Sequence, residues 1–516
     1  MATITSNNYD ISTTNLDAPS IVLINTENFN KIIKALLGSN EDGPIFISDV
    51  SEDESAQEET TELIQPLNGM RISEPGTAEI TISSHAKEKA LYSPYNYSEE
   101  YLLDNHLFWL QPNEVAFNTD VKPISYPDKY ELKQLHLVTR HGARQPDPVN
   151  IFSYDTLEKV FANVSVAKDW YKNPFSLAKN YQLVKRGEIE PYFAGIRCRK
   201  RYAKFWNGVK YDPEVIKFKS TQTSRTGASM MAFSEGLFNG IGPLDSCKSQ
   251  PIYYSTIPLD QDTELAPFLA CRRWNQTCWT NNAKRSEQIF AYGNKTLAPI
   301  AERLTKEYDI SPPLDPHLIP QIFTACQYWM TVFNRTDAWC SLLSPDELLL
   351  ARYYWDMYGY YTNSYGSPLG TQLGCRFLTQ LVNGVEEYLD GKSEAIAHLK
   401  ETHGFTILIL LTTMGVFKDD YPLTADLTFE QIKNVKYTEY ANVPWSSTLY
   451  FEIYTCSDNK EVSIRVVFND VPFVIPGCGS EYCEWKKFKS IFSDKIGCDF
   501  SELCSYPTNP PITFYF

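Results

Sequence analysis

Apolar positions along this chain recur with two spacings, which together predict an order of strands and helices. Short apolar runs predict strands at 135–139 and 215–218, and later at 449–455, 461–468 and 471–475. Helical spacing predicts long helices at 184–202, 290–308, 348–361 and 373–389, and a buried helix at 406–414. The dipeptide Asn469-Asp470 predicts a hairpin turn between the last two strands.

This order places strands near both ends of the folded region and helices between them. We therefore predict one α/β domain, spanning residues 89–516, whose sheet is interrupted by an inserted helical cap. The cap is expected roughly within 145–215 and 240–395. A turn-rich segment at 363–368 predicts a break between two of its helices.

Residues 1–88 differ in composition from the rest of the chain. They hold 15 Asp and Glu against 4 Lys and Arg, a charge of −11 out of −16 for the whole chain. We expect this acidic N-terminal segment to be largely disordered, with a regulatory or docking tail as the alternative. The remaining chain carries a charge of only −5, and the acidic balance argues against nucleic acid as a partner.

The candidate chemistry lies in seven residues at the end of the first predicted strand, Arg140-His141-Gly-Ala-Arg144-Gln-Pro. Two guanidinium groups within five residues can hold a phosphate monoester, and an imidazole between them can attack phosphorus. A loop that follows a parallel strand lies at the carboxyl edge of the sheet, where α/β folds bind ligands. We predict a phosphate site with His141 as the nucleophile and Arg140 and Arg144 as ligands.

These residues resemble the signature of the histidine acid phosphatases, in the branch that includes phytases and multiple inositol polyphosphate phosphatases. Similar matches to that branch are Asp337-Ala-Trp-Cys340, Tyr353-Tyr-Trp-Asp and Asn442-Val-Pro-Trp. The resemblance implies a histidine-phosphatase (phosphoglycerate-mutase-like) α/β sandwich core with an inserted helical cap. It also implies hydrolysis of inositol polyphosphates or phytate through a phosphohistidine intermediate.

Two later segments resemble the remaining site motifs of the family. Arg225 follows a predicted strand and opens a helix, and the resemblance assigns it as another phosphate ligand. His403 stands twelve residues before Gly415, the same spacing as between the family's second histidine and the glycine that ends its helix. The resemblance implies that His403 is catalytic and donates a hydrogen bond to the phosphoryl group.

One departure from the family concerns its proton donor. The related helix opens with His-Ala-Glu, whereas this chain reads His403-Gly404-Phe405. Loss of a positioned general acid typically costs a factor of about 10² to 10⁴ in rate. Glu401, or alternatively Asp419 or Asp420, substitutes for it only if the local backbone turns the carboxyl group toward the site.

Three functions are therefore weighed. The first is a phosphomonoesterase acting on a phosphorylated small molecule, an inositol polyphosphate. The second is a pseudophosphatase that binds such ligands without turnover, because Phe405 cannot donate a proton. The third is a mutase-type phosphoryl transferase, which the long helical insert and the cysteines disfavour. We expect no metal and no other cofactor, because the arginines provide the charge stabilisation.

Cysteines and sequons bear on the compartment. All 12 cysteines lie between Cys198 and Cys504, and five Asn-x-Ser/Thr sequons occur, at Asn96, Asn163, Asn275, Asn294 and Asn334. This pattern favours disulfide bonds and a glycoprotein that is secreted or resides in an endomembrane lumen, although the pairing stays open. No signal peptide is visible at the first residues, and no apolar run is long enough for a transmembrane segment.

Overall fold

The computed structural model describes residues 121–124, 127, 129–244, 246–458 and 460–506. The acidic segment at 1–88 and the sequon at Asn96 lie outside the described residues. Within them, the strands form one mixed sheet with helices on both faces. The predicted α/β class is confirmed.

The sheet contains β1 (Tyr130–Arg140), β2 (Ile216–Ser220), β3 (Tyr254–Ser255), β4 (Ala397–Thr402), β5 (Thr448–Cys456), β6 (Val462–Phe468), β7 (Val471–Phe473) and β8 (Cys483–Glu484). Its order is β3-β2-β4-β1-β5-β6-β7, and β8 pairs with β6. Pairing is parallel from β3 to β1 and antiparallel from β1 to β7. Since parallel neighbours need long crossover connections, the inserted helices connect the parallel half of the sheet.

Each strand predicted from the apolar runs is present. The predicted hairpin is also confirmed, because Asn469 and Asp470 connect β6 to β7 with φ angles of 46° and 67°. Positive φ at both central residues matches the right-handed twist of the flanking strands. The sequence therefore predicts β1, β2 and the antiparallel strands β5 to β7, whereas β3, β4 and β8 were not predicted.

The helices of seven or more residues are α1 (Pro148–Phe161), α2 (Lys185–Arg201), α3 (Ser224–Leu237), α4 (Ala283–Tyr292), α5 (Ala298–Glu307), α6 (Ile319–Phe333), α7 (Pro345–Asn363), α8 (Cys375–Leu389), α9 (Gly404–Thr413) and α10 (Trp485–Ile491). Shorter helical turns lie at Ala203–Trp206, Pro267–Ala270, Arg272–Trp274, Phe429–Lys433, Glu439–Asn442 and Phe500–Leu503. In the described part of the chain, no helix is both long and apolar enough to cross a bilayer.

The helix expected at 290–308 is divided in the structure. Helices α4 and α5 are joined by a π-helical turn, Gly293–Leu297. A Cβ on Gly293 would overlap the ring of His317, so a larger residue at the first position of this turn would displace that side chain. The apolar spacing predicts a helical segment there but not the extra residue that the π turn accommodates.

One face of the sheet is covered by α2 and α3. Leu137 of β1, Cys198 of α2 and Phe233 of α3 belong to the same buried cluster. The two helices pack closely because a Cβ on Gly195 or Gly236 would overlap the opposing helix backbone. Helix α2 thus packs on the sheet, although it falls within the range expected for the cap.

The opposite face carries α8, α9 and the larger helical insert. Val138 of β1 shares a buried cluster with Phe377 of α8 and Leu408 of α9. The same cluster continues into α6 and α7 through Trp329 and Tyr353. One continuous apolar core therefore connects the sheet edge to the helical insert, and burial of this surface is the main stabilising contribution.

Four disulfide bonds form among the twelve cysteines: Cys271–Cys504, Cys326–Cys340, Cys375–Cys498 and Cys478–Cys483. The predicted disulfide bonding is confirmed for these pairs, and four cysteines are free thiols. Cys271–Cys504 and Cys375–Cys498 connect residues 233 and 123 positions apart, so they tie the C-terminal region to earlier helices.

The number of residues in the loop that each disulfide closes predicts that these bonds contribute unequally to the free energy of unfolding. Replacing Cys375 and Cys498 by Ala should lower the free energy of unfolding by about 5 kcal/mol, against about 2 kcal/mol for Cys478 and Cys483, which are 5 residues apart. Denaturant unfolding of the two double variants measures this difference. Equal losses would contradict the loop-length explanation.

Candidate active site

The phosphate loop, residues 140–146, begins at the carboxyl end of the central strand β1. The N–H of Arg140 donates to the carbonyl of Ser447 (2.9 Å), and the N–H of His141 donates to the carbonyl of Thr402 (3.0 Å). The rings of His141 and His403 are brought to the same sheet edge, with their centroids 5.6 Å apart. Sheet-type hydrogen bonds on both sides thus hold the start of the loop in place.

The middle of the phosphate loop packs against two helices. A Cβ on Gly142 would overlap the carbonyl group of Gly187 in α2, so a larger residue does not fit there. The N–H of Gly142 donates to Oγ of Ser229 (3.1 Å), and the N–H of Ala143 donates to Oε2 of Glu190 (3.0 Å). The loop backbone is therefore ordered by protein contacts, independently of a bound ligand.

The His141 imidazole is held in one tautomer. Its Nδ1 lies 2.9 Å from the carbonyl oxygen of Gly142, and because a carbonyl only accepts, Nδ1 carries the proton. Nε2 therefore has the lone pair, and it accepts a hydrogen bond from Nε of Arg225 at 3.3 Å. An unprotonated Nε2 is the form that a histidine nucleophile needs.

Arg225, in the first turn of α3, contacts both histidines. Its Nη2 donates to Nδ1 of His403 at 3.3 Å, and Nε2 of His403 lies 3.1 Å from Oγ1 of Thr221. Because a guanidinium only donates, Nδ1 of His403 accepts and Nε2 carries the proton. For Nδ1 to donate to a phosphate oxygen, His403 must first become protonated, and a nearby phosphate charge favours that form.

Arg140 is oriented by an aromatic ring and by the start of α9. Its guanidinium lies 3.8 Å from the ring centroid of Trp445 and donates to the carbonyl of Val443. A Cβ on Gly404 would lie only 3.1 Å from Nε of Arg140. The absence of a side chain at Gly404 therefore lets the arginine lie directly against the first turn of α9.

Arg144 is oriented by Tyr181 and Asp147. Its guanidinium lies 4.8 Å from the ring centroid of Tyr181, which also lies 4.9 Å from the guanidinium of Arg225. Nη2 of Arg144 lies 3.6 Å from Oδ2 of Asp147, the N-cap residue of α1. Tyr181 has a φ of 58°, an uncommon conformation for a non-glycine residue that is typical of functional sites.

The electrostatics favour an anionic ligand. Burial, together with the charges of Arg225, Arg140 and Arg144, lowers the pKa of His141 and of His403 well below the usual value. Burial and the Arg144 charge also lower the pKa of Arg225, to about 9. Both imidazoles are therefore neutral near neutral pH, and the positive charge of the arginines favours a phosphate group.

The first substitute acid considered, Glu401, lies inside β4. It is 1% exposed, and its Oε2 accepts a hydrogen bond from Thr139. Burial raises the pKa of Glu401 to about 8, so this carboxyl group is protonated at neutral pH. Among the described hydrogen bonds, none joins Glu401 to His141 or His403.

The other two carboxylates, Asp419 and Asp420, lie after α9. Asp419 accepts hydrogen bonds from the backbone N–H groups of Lys436 (2.7 Å) and Tyr437 (3.0 Å). Asp420 pairs with Nζ of Lys436 at 3.2 Å. Both carboxylates are thus engaged by residues 436–437, and the described contacts bring neither to the phosphate loop.

Sequence reasoning missed three residues of this site. Glu190 lies on the buried face of α2, and its carboxylate pairs with Arg186 one turn earlier (2.8 Å). The helical spacing could have indicated that this carboxylate is buried. Trp445 lies in the segment that resembles the family, but that resemblance gave it no role. Tyr181 precedes α2 in a loop, and no sequence pattern pointed to it.

Comparisons with known proteins agree with this geometry. The profile of the histidine phosphatase superfamily (branch 2) matches residues 131–469. The chain is similar to multiple inositol polyphosphate phosphatase 1 of Dictyostelium discoideum, with 26% identity over 72% of this chain and 67% of that protein. It is also similar to a thiamine-repressible acid phosphatase of Schizosaccharomyces pombe, with 24% identity over 82% of this chain and 95% of that protein.

Solved structures share the fold. The phytase from D. castellii has a TM-score of 0.62 and 20% identity, covering 82% of this chain and 92% of that chain. The Bifidobacterium longum multiple inositol polyphosphate phosphatase, solved in complex with phosphate, has a TM-score of 0.59 and 12% identity, covering 76% of this chain and 98% of that chain. The predicted histidine-phosphatase core is confirmed.

The raised pKa of Glu401 predicts a pH dependence of stability. The unfolded chain releases this proton above its usual value of 4.5, whereas the folded protein keeps it up to about 8. The contribution of Glu401 is therefore complete below pH 4.5 and is lost as pH rises to about 8, on the order of 1 kcal/mol per pH unit.

Urea unfolding at several values between pH 5 and pH 8 checks this prediction. Glu401→Gln should gain stability relative to the wild type as pH rises. The matched control is Glu131→Gln, at a side chain that is 61% exposed, and it should follow the wild type. Parallel pH profiles for the wild type and Glu401→Gln would contradict the assignment of a buried, protonated Glu401.

Proposed function

Because the chain belongs to branch 2 of the histidine phosphatase superfamily, we propose that it is a phosphomonoesterase with His141 as its nucleophile. The observation that carries the proposal is the neutral Nε2 of His141, held toward Arg225 at 3.3 Å. Arg140, Arg144 and Arg225 bind the phosphoryl oxygens and stabilise the charge that develops in the transition state. No step of the proposal calls on a cofactor.

The proposed reaction has two steps. Nε2 of His141 attacks phosphorus while the bond to the alcohol oxygen breaks, which leaves a phosphohistidine and an alkoxide that takes its proton from solvent. Water then attacks phosphorus and loses a proton to phosphate or solvent, inorganic phosphate is released, and the electron pair of the P–N bond returns to Nε2. Covalent catalysis of this kind replaces one difficult displacement by two easier ones.

We assign His403 a supporting role in both steps. In the free protein it is neutral, and its Nε2 donates to Thr221. A bound phosphate dianion offsets the arginine charges that lower the pKa of His403, so the imidazole gains a proton at Nδ1. Protonated His403 then donates to a phosphoryl oxygen from the side that Arg225 contacts.

Inositol polyphosphates are the substrate class that we propose first. Similar proteins from Dictyostelium discoideum and Bifidobacterium longum are named multiple inositol polyphosphate phosphatases. These substrates have aliphatic leaving groups, which need a proton when the ester bond breaks. Because Phe405 stands where the family's acid is expected, turnover of these substrates should be slow.

A second candidate function is a pseudophosphatase that binds phosphorylated ligands. Phe405 is the observation that favours it, since the arginines hold phosphate whether or not a proton donor is present. Under this alternative the protein binds inositol hexakisphosphate but releases no phosphate from it.

We also propose an oxidising location, secreted or within an endomembrane lumen, and a division into an acidic segment at 1–88 and a phosphatase domain at 89–516. Four disulfide bonds support the location. The sequons at Asn163, Asn294 and Asn334 are exposed, whereas Asn275 is buried. Glycans are therefore expected at the three exposed sites.

Phosphate release from inositol hexakisphosphate by the purified full chain tests the proposed function. His141→Ala should abolish release, because no other group supplies the nucleophile. Phe405→Glu should raise the rate by about 10² to 10⁴, because it restores an acid at the second position of α9. Phe290→Glu is the matched control, at a side chain that is 63% exposed, and it should leave the rate unchanged.

Three outcomes separate the alternatives. Slow release that depends on His141 supports the enzyme. Binding without any release, measured by titration calorimetry, supports the pseudophosphatase. Release that persists in His141→Ala contradicts both proposals for this site.

A further inference from the structure

Aromatic side chains line the site beside the first turn of α9. The ring of Phe268 lies 6.1 Å from that of His403 and 5.5 Å from that of Phe405, and the ring of Trp279 lies 6.2 Å from that of Phe405. We call Phe268, Phe405 and Trp279 the aromatic wall. Phe268 is buried, whereas Phe405 and Trp279 are partly exposed, so the outer part of the wall is accessible.

Two further rings lie next to the arginines. Trp445 lies 5.4 Å from the ring of His141 and stacks on Arg140. Tyr181 faces both Arg144 and Arg225. Trp445 and Tyr181 are partly exposed as well. A ligand held by the three arginines therefore meets aromatic surfaces beyond its phosphate group.

The positive charge of the site suits one phosphate group. Of the three arginines, Arg144 already lies 3.6 Å from Asp147. The basic residues Arg197 and Arg201 of α2 do not add to the site, because both are buried and pair with Asp470 (3.5 and 3.4 Å).

The carboxyl groups described near the arginines do not lie on α9. Asp147 pairs with Arg144 and caps α1. Glu401 is buried within β4. Glu439 lies against Gly359 of α7, and its Oε2 has no hydrogen-bond partner among the described residues. Burial, together with Asp356, raises the pKa of Glu439 to about 8, so this carboxyl group is the alternative acid that the experiment must test.

We propose that this site prefers phosphate monoesters of aromatic alcohols, whose aryl group binds the aromatic wall and leaves as a phenolate without a proton from the protein. The inference rests on the proposed function and names its preferred substrate class. A phenol has a pKa of about 10, whereas the pKa of an aliphatic alcohol is far higher, close to that of water. A phenolate can therefore leave without being protonated by a general acid, whereas an aliphatic alkoxide leaves slowly without that proton.

Nε2 of His141 forms the P–N bond while the P–O bond to the aryl group breaks, and the electron pair leaves on the phenolate oxygen. The phenolate takes its proton from solvent. Water then attacks phosphorus, the P–N pair returns to Nε2, and the proton of water passes to phosphate or solvent. Because Phe405 stands where the family's carboxylate would activate this water, the second step is the slower one.

A series of substituted phenyl phosphates and glycerol 2-phosphate tests the preference. For the wild type, kcat/KM should fall steeply as the phenol becomes less acidic, and by about 100-fold or more for glycerol 2-phosphate. 4-Nitrophenyl phosphate should give an initial burst of about one nitrophenol per protein, because dephosphorylation is slow. In Phe405→Glu the dependence on the leaving group should flatten, since the new acid supplies the proton.

Binding by the aromatic wall has a separate readout. Trp279→Ala should raise KM for phenyl phosphate about threefold to tenfold and leave KM for glycerol 2-phosphate unchanged. Tyr253→Ala is the control, at an aromatic side chain that is 68% exposed, and it should leave both values unchanged.

The possible results distinguish this inference from the proposed function. If kcat/KM of the wild type for the phenyl phosphates does not depend on the leaving group, a protein acid is present and the inference is wrong, while the phosphatase function stands. Glu439→Gln then shows whether that acid is Glu439. If inositol hexakisphosphate is hydrolysed as efficiently as phenyl phosphate, the inference is also wrong. If no ester is hydrolysed, the proposed function fails instead.

Discussion

The rest of this site depends on the crowding of three guanidinium groups around two neutral imidazoles at one edge of the sheet. Cations this close repel one another, so the protein must hold them by other contacts until an anion binds. The ring face of Trp445 holds Arg140, and that of Tyr181 holds Arg144. Arg225 instead donates to both imidazoles. Burial, together with the same charges, lowers the pKa of His141 well below its usual value, so the imidazole is unprotonated and nucleophilic near neutral pH. The arginines thus contribute both to the proposed binding of phosphate and to activation of the nucleophile.

The fold separates phosphate binding from proton donation. The phosphate loop is fixed by β1, by its neighbouring strands and by backbone hydrogen bonds to Ser229 and Glu190. The acid of the family, in contrast, would stand at the second residue of α9, which here is Phe405. A change at that residue leaves the contacts of the arginines in place. The proposed phosphate site therefore lies beside an apolar residue, and this arrangement is the basis for the proposed preference for good leaving groups.

The sequence predicted the elements whose structure depends on residues close together in the chain. Strand β1 and the turn at Asn469 and Asp470 follow from apolar runs and from the φ angles of the turn. Arg140 and His141 were found because both lie in one short segment after a strand. Tyr181 was missed because its role arises from a loop folding back onto two arginines, and Glu190 because a helix brings it beneath the phosphate loop. Contacts between residues far apart in sequence leave no local pattern, so the lining of the pocket required the structure.

The most direct test of the account is to find the phosphoryl group during turnover. The full chain would be mixed with 4-nitrophenyl phosphate and quenched in alkali, which preserves phosphohistidine, and peptides would then be mapped by mass spectrometry. The account predicts one phosphoryl group, on His141, that disappears when the substrate is exhausted. A phosphoryl group on another residue, or none while nitrophenol is being released, would contradict the assignment of His141 as the nucleophile.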